Sequence, residues 1–314
     1  MNRISIVVSV VLLCSTWSTF AHAASATVDC GKKGSIDAAL DKFDKSLPNS
    51  LTVVGACTEL VTVSKHRDLT IIGGPGASLT ATVDALATLS ISGSRVSVRN
   101  LVISGGDLAF NAVSCDDRSV CILENVSALD AGTGVGVQKQ SSVDIIGSPA
   151  TVISGNSTAG IGVYGQSSAN ITSAVGSDQP GITVSGNGYG IQAIDGSFVR
   201  VENAQITGNQ FGGVFGDRGA VYKVFGTNVS NNSGQGAFMR ASTLQVGPQF
   251  TFPANFANNT GPGVQLASLS YATVDATFTS NGGAYPSGVD CSPSAVLRAN
   301  GALFGASNLN CGDQ

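Results

Sequence analysis

The sequence is poor in the residue types on which most functional classes rely. It has one tryptophan, Trp17, two histidines and 11% charged residues over 314 positions. No Cys-x-x-Cys pair occurs, and His66 is the only histidine beyond the N-terminal segment, so a Cys/His metal centre is not expected. Sixteen Lys and Arg stand against twenty Asp and Glu, a formal net charge of -4, which leaves no basic footprint for nucleic acid. No stretch approaches the roughly 20 consecutive apolar residues that a helix needs to cross a bilayer. Gly-rich runs such as Gly73-Gly74-Pro75-Gly76 do not precede a helix, which removes a phosphate cradle, and the Gly-Gly-x-Gly-x-Asp repeat of calcium-loaded solenoids is missing. Low charge with abundant Val, Ile and Leu also argues against disorder.

What is present begins with a leader. Arg3 precedes an apolar run from Ile4 to Leu13, and Ala21-His22-Ala23 is a small-x-small site of the kind a signal peptidase cuts, so residues 1–23 read as a secretory signal peptide. Cys14 follows Leu13, where a lipoprotein signal has a small residue, so it is expected to leave with the leader. The mature chain is expected in the periplasm or outside the cell. Six cysteines remain, and their clustering predicts the disulfides Cys30–Cys57, Cys115–Cys121 and Cys291–Cys311, with connectivity open.

One phrase recurs along the chain: Ile153-Ser154-Gly155-Asn156, Val184-Ser185-Gly186-Asn187, Ile206-Thr207-Gly208-Asn209, Val229-Ser230-Asn231-Asn232, Phe256-Ala257-Asn258-Asn259 and Phe278-Thr279-Ser280-Asn281. The asparagines are 31, 22, 23, 27 and 22 positions apart. Short β-branched strands separated by Gly and Asn at such a period describe one coil of a β-solenoid. Each asparagine is then stacked on the next as an amide ladder, and Asn also tolerates the left-handed backbone of tight corners. Asn156, Asn170 and Asn228 spell Asn-x-Ser/Thr as well, which the turn reading explains without a sugar. The predicted architecture is an all-β, single-domain, right-handed parallel β-helix over residues 51–290. A cap over 24–50 precedes it, and a second cap over 291–314 closes it. In the first cap, Ile36, Leu40, Phe43 and Leu47 follow Ser35 at helical spacing, with Asp37 in the first turn and Lys42 and Lys45 near the end.

These residues resemble the pectin-lyase-like superfamily of right-handed parallel β-helices. The stretch from Gly55-Ala56-Cys57-Thr58-Glu59 through Val61-Thr62-Val63-Ser64-Lys65 to Leu69-Thr70-Ile71-Ile72-Gly73-Gly74 is similar to the opening coil in that superfamily, pectin methylesterases included. The resemblance spans nearly all of the mature chain and implies architecture, since members include lyases, hydrolases, esterases, epimerases and adhesins. No family catalytic set transfers. The Asn-Thr-Asp, Gly-His-Gly and Arg-Ile-Lys of polygalacturonases are missing, as is the Asp-Pro-His-Asp of alginate epimerases. Asp116-Asp117-Arg118 only echoes a lyase site and reads as a disulfide-closed surface loop.

Counting from the column asparagines locates candidate chemistry. Eight positions beyond them stand Tyr164, Asp195, Asp217, Arg240 and Ala267, and six beyond stand Gly162, Ala193, Phe215, Phe238 and Gln265. Two carboxylates one coil apart would be about 5 Å apart, close to the separation in retaining glycosidases, and their repulsion would raise one pKa toward an acid's role. Asp195 and Asp217 are thus the candidate catalytic pair. Tyr164, Phe215, Arg218, Phe238 and Arg240 are the candidate substrate contacts, and no cofactor is expected. A register slip of one at Gly190 would turn Asp195 to the other face. Asp217 and Arg240 pairing across coils as a solvated ladder is the other reading of the same residues. His66, between Lys65 and Arg67, reads as a solvated corner. The expected function is a secreted carbohydrate- or surface-binding β-helix. The alternative is a hydrolase or lyase acting on an acidic polysaccharide.

Overall fold

The computed structural model describes residues 23–147, 151–173, 181–248, 253–282, 288–292 and 294–299. The expected leader, Ala23 apart, and Cys311 of the third expected disulfide lie outside the described residues.

Strands form three parallel sheets of 12, 10 and 10 strands, which the chain visits in turn. The first sheet runs from Ala24–Asp29 and Pro48–Val54 to Val296–Ala299, the second from Ala56–Thr58 to Ala276–Thr279, and the third from Val61–Ser64 to Val289–Cys291. Each strand pairs in parallel with its equivalent one coil later, as in Ile161↔Ile191↔Val214↔Ala237↔Val264. This is the expected all-β parallel β-helix.

Alternation decides which side chains face in. Ile161, Val163, Val214, Ala237, Met239, Val264 and Leu266 are buried in the core, as the first and third residue of each third-sheet strand should be. Burying each Val, Ile or Leu contributes about 1.5–3 kcal/mol. Stacked coils repeat the contribution without lengthening any strand, so the core extends along the axis.

The asparagine column is present from Asn156 to Asn281. Each side-chain amide donates to the Oδ1 of the next asparagine, at 2.8 Å for Asn156 to Asn187, 3.1 Å for Asn187 to Asn209 and 2.9 Å for Asn209 to Asn232. The same amides reach back to strand carbonyls, such as Asn209 Nδ2 to the Val184 carbonyl at 3.2 Å. All six are buried, where an unpaired amide would be costly. The left-handed corner belongs to the residue before each of them, not to the column asparagine itself: Gly155, Gly186, Gly208, Asn231, Asn258 and Ser280 have φ between 51° and 72°.

A second column runs between the third and first sheets. Ser94, Ser119, Ser141, Ser167, Ser197, Ser242 and Ser270 are buried, and several accept a backbone N–H from the coil before, for example Ser94 N to Ser119 Oγ at 3.2 Å and Ser119 N to Ser141 Oγ at 3.1 Å. His66 heads this column, its N–H donating to Ser94 Oγ at 3.0 Å. Against the expectation of a solvated corner, His66 is 2% exposed, because its position in the coil is the inward one that serine occupies later.

The segment expected as the N-terminal cap holds the strand Ala24–Asp29, a 3-10 turn at Cys30–Lys32 and the helix Ile36–Leu40, which is shorter than the spacing suggested. Ser35 Oγ accepts from Ala38 N, and Glu59 of the first coil accepts from both Ser35 Oγ and Ile36 N. Beyond Leu40 the chain turns through Asp44 and Ser46, whose mutual hydrogen bonds compete with helix, so Phe43 is buried from a turn and Lys42 and Lys45 lie outside the helix. Disulfides join Cys30 to Cys57 and Cys115 to Cys121, as expected; the first ties the cap to the second sheet.

Candidate functional site

The outward face of the third sheet carries the expected candidates. Phe215 and Phe238 are in register in one column, with Gly162 and Gln192 before them and Gln265 after. The neighbouring column holds Ile194, Asp217, Arg240 and Ala267 in register, and Tyr164 directly follows Val163 in the preceding coil. Tyr164, Phe215, Phe238, Asp217 and Arg240 are therefore brought together.

Asp195 is not in their column. Ile194, not Asp195, pairs with Asp217, and Gln192 takes the position expected for Ala193. The cause is a shorter corner. Asn156 and Asn209 are each followed by two residues before the next in-register position, Ala159 or Gly212, but Asn187 is followed by Gly188 alone before Tyr189. A Cβ on Gly188 would come within 2.3 Å of the Thr158 carbonyl, so this tight passage needs glycine. Asp195 then falls on the corner, with φ of 58°, beside Arg218.

Each candidate carboxylate is held by an arginine one coil later. Asp195 accepts from Arg218 Nε at 2.6 Å and from its terminal nitrogen at 3.2 Å. Asp217 accepts from Arg240 Nε at 3.0 Å, from its terminal nitrogen at 2.5 Å and from Arg218 N at 2.9 Å. Asp217 is buried, and the Arg240 hydrogen bond holds its carboxyl below the ordinary carboxylate range against the opposing effect of burial. This is the reverse of the upward shift that two facing carboxylates would give.

Beside these pairs lies a run of aromatic side chains, one in each of four successive coils: Tyr164, Tyr189, Phe215 and Phe238. Tyr189 and Phe215 are stacked at 4.9 Å, Phe215 and Phe238 are 5.7 Å apart, and Phe211 meets Tyr189 edge-on at 5.5 Å. Glycine lets two of these rings sit where they do. A Cβ on Gly162 would be 2.7 Å from the Tyr164 ring, so that ring lies over bare backbone, and its hydroxyl donates to Gln192 Oε1 at 3.0 Å. Burial pushes the Tyr164 phenol above its ordinary value. Beneath the strip, the absent side chain of Gly216 makes room for Tyr222, whose buried hydroxyl donates to the Phe215 carbonyl at 2.7 Å and so fixes that strand from inside. Amides complete the face: Gln235 donates to Gln265 at 2.8 Å, and Gln265 to Asp290 at 3.2 Å.

No protein-family model matches the chain, and no curated protein matches it. Among solved structures it is similar to an alginate lyase from Paenibacillus sp., with 13% identity, a TM-score of 0.43 and coverage of 90% of this chain and 99% of that one. It is also similar to a pectin methylesterase from carrot, at 11% identity and TM-score 0.36, covering 90% of this chain and 84% of the other. The receptor-binding protein of bacteriophage Det7, a podoviral tailspike in a myovirus, is similar at 7% identity and TM-score 0.31, covering 88% and 74%.

Counting from the asparagines does not find Tyr189, Phe211, Gln192 or Gln235. Gln192 was hidden by the short corner, Tyr189 and Gln235 start their strands in a column that the counts did not visit, and Phe211 sits within a corner itself. The pairing of Lys139 with Asp116, at 2.9 Å across one coil, continues the edge of ion pairs upstream and had only the unspecific signal of charge. Among the described residues, the one cluster with metal-ligating atoms is Cys30, Cys57 and Glu59; its thiols are joined in a disulfide and its carboxylate caps the helix, so it has no free donor set.

Proposed function

We propose that this chain is an exported carbohydrate-binding β-helix whose third-sheet face receives an extended glycan along the coil axis. One observation carries the reading: an aromatic ring in each of four successive coils, flanked by amides. Coils rise about 4.8 Å each, so the run covers roughly 14 Å; Phe215 is itself buried between Tyr189 and Phe238, and the partly exposed Tyr164, Tyr189 and Phe238 beside Gln192 and Gln235 offer ring contact and hydrogen bonding to a sugar chain. Phe211, 52% exposed, extends the apolar surface at the corner. The leader-like N-terminus and the disulfides support export. Among the described residues no helix is long and apolar enough to cross a membrane.

Binding rather than turnover is supported by the state of the carboxylates. Asp217 is kept ionised by Arg240 and so is poorly placed to give a proton to a glycosidic oxygen, and Asp195 lies outside its column, hydrogen-bonded to Arg218. Their role in this reading is to fix the edge of the strip.

Retention of the full chain on immobilised polysaccharides, neutral and uronate-containing, tests the proposal. At least one should retain it, with affinity falling about tenfold in Tyr189→Ala and Phe238→Ala, the loss of about 1.4 kcal/mol that one stacked ring supplies. No retention on any polysaccharide, or variants that bind like the parent, would dismiss it.

A further inference from the structure

The charges around the aromatic strip narrow the class of ligand. Asp195, Asp217, Arg218 and Arg240 border Tyr164, Tyr189, Phe215 and Phe238, sum to zero and close into two bidentate pairs, and the carboxylate of Asp290, one coil beyond Gln265 in the Phe215–Phe238 column, adds no positive charge to the face. The guanidiniums are 57% and 52% exposed, so they are visible from solvent, but each already spends its Nε and one terminal nitrogen on a carboxylate. A sugar carboxylate that shared Arg240 would sit beside the Asp217 carboxylate and meet its repulsion, and one that took the arginine over would leave Asp217, 4% exposed, as an uncompensated charge. A sugar carboxylate beside Arg218 would have to displace Asp195 and then remain next to it. On the strip itself the polar groups between the rings are the Gln192 and Gln235 amides and the Tyr164 and Tyr189 hydroxyls, which pair with hydroxyl groups and carry no charge.

The first sheet makes the contrast. Arg200 and Lys223 are in register one coil apart on its outward face, Lys223 lying 5.9 Å from the centre of the Phe198 ring and Arg200 5.9 Å from that of Phe225. Arg200 also pairs with Glu202. Attraction for a polyanion is therefore expressed on the first sheet, away from the aromatic strip.

From this neutrality we infer that the ligand of the third-sheet face is an uncharged polysaccharide, recognised by ring stacking and amide–hydroxyl hydrogen bonds and not by ion pairing. The inference rests on the carbohydrate-binding reading above and goes further by assigning the substrate class.

Affinity electrophoresis of the full chain through gels containing a β-glucan, a galactomannan, a xylan, polygalacturonate or alginate, each at low and high salt, tests it. The expected result is retardation by at least one of the neutral polymers, changed less than about twofold by salt because no counterions are released. Phe238→Ala should weaken it about tenfold and Lys223→Ala should leave it unchanged. Retardation by the uronate polymers alone, relieved by salt and lost in Phe238→Ala, would overturn the uncharged class while keeping the strip as the binding face. Retardation lost in Lys223→Ala and kept in Phe238→Ala would overturn both, as would none in any gel.

Discussion

Asp217 and Arg240 face each other across one coil of the third sheet, joined by hydrogen bonds of 3.0 and 2.5 Å, with the carboxylate buried and the guanidinium half exposed. The pair shows how a parallel β-helix handles charge: a side chain on the outer face that its neighbours cover is satisfied by the equivalent position one coil later.

Removing Arg240 should therefore cost more than removing Arg218. Arg240→Ala leaves the buried Asp217 carboxylate without its main partner, whereas Arg218→Ala releases an exposed pair that contributes little, so the first variant should unfold at the lower urea concentration. The carboxyl of Asp217 is lowered in the folded state, so its contribution is present above the unfolded value near 3.8 and lost as pH falls through the folded one. Urea unfolding of the two variants at neutral pH gives the comparison, and equal losses would contradict it.

The asparagine ladder predicts a cost that no single hydrogen bond would give. Asn209→Ala removes the acceptor of Asn187 N and Nδ2 and the donor to Val184 and Asn232, leaving buried groups unpaired on both sides. The expected destabilisation is about 2–4 kcal/mol, read from the shift of the urea midpoint. A loss below about 1 kcal/mol would mean the column is solvated.

Corner glycines divide into two kinds. Gly208, with φ of 65° and nothing within 4 Å of a Cβ, needs only a left-handed backbone, so Gly208→Asn should cost a few tenths of a kcal/mol, as Asn231 and Asn258 already adopt that conformation one and two coils on. Gly188 needs space, and Gly188→Ala should cost several times more because its Cβ meets the Thr158 carbonyl at 2.3 Å. Thermal midpoints of the two variants check the order.

Burial, and then the nearby Lys45 charge, hold the His66 imidazole below its ordinary value near 6.5. The unfolded chain therefore binds a proton that the folded chain resists, so stability is full above that pH and declines as pH falls through it. His66→Gln should flatten the profile from about pH 6.5 downward in thermal unfolding. An unchanged slope would place the titration elsewhere.

Much of the fold was legible because a coil repeats. The asparagine column and the inward strand positions follow from periodicity, since each coil must repeat what the last one needs, and two disulfide pairs follow from the clustering of the cysteines. The serine column was missed because Ser197 is followed one coil later by Ala220, which interrupts the pattern, and because serine is common in corners. Asp195 was misplaced by a single residue: counting assumes equal corners, and Gly188 shortens one of them. Lys42 and Lys45 lay beyond the helix because Asp44 and Ser46 satisfy each other locally. The aromatic strip was legible through Tyr164, Phe215 and Phe238, while Tyr189, at the start of its strand, emerged only from the observed register.

Covalent footprinting of aromatic side chains, with and without a polysaccharide that the chain retains, tests the central proposal most directly. Tyr164, Tyr189, Phe211 and Phe238 should become protected while Phe198 and Phe225 of the first sheet keep their labelling. Protection of the first-sheet rings alone, or of none, would contradict a glycan face on the third sheet.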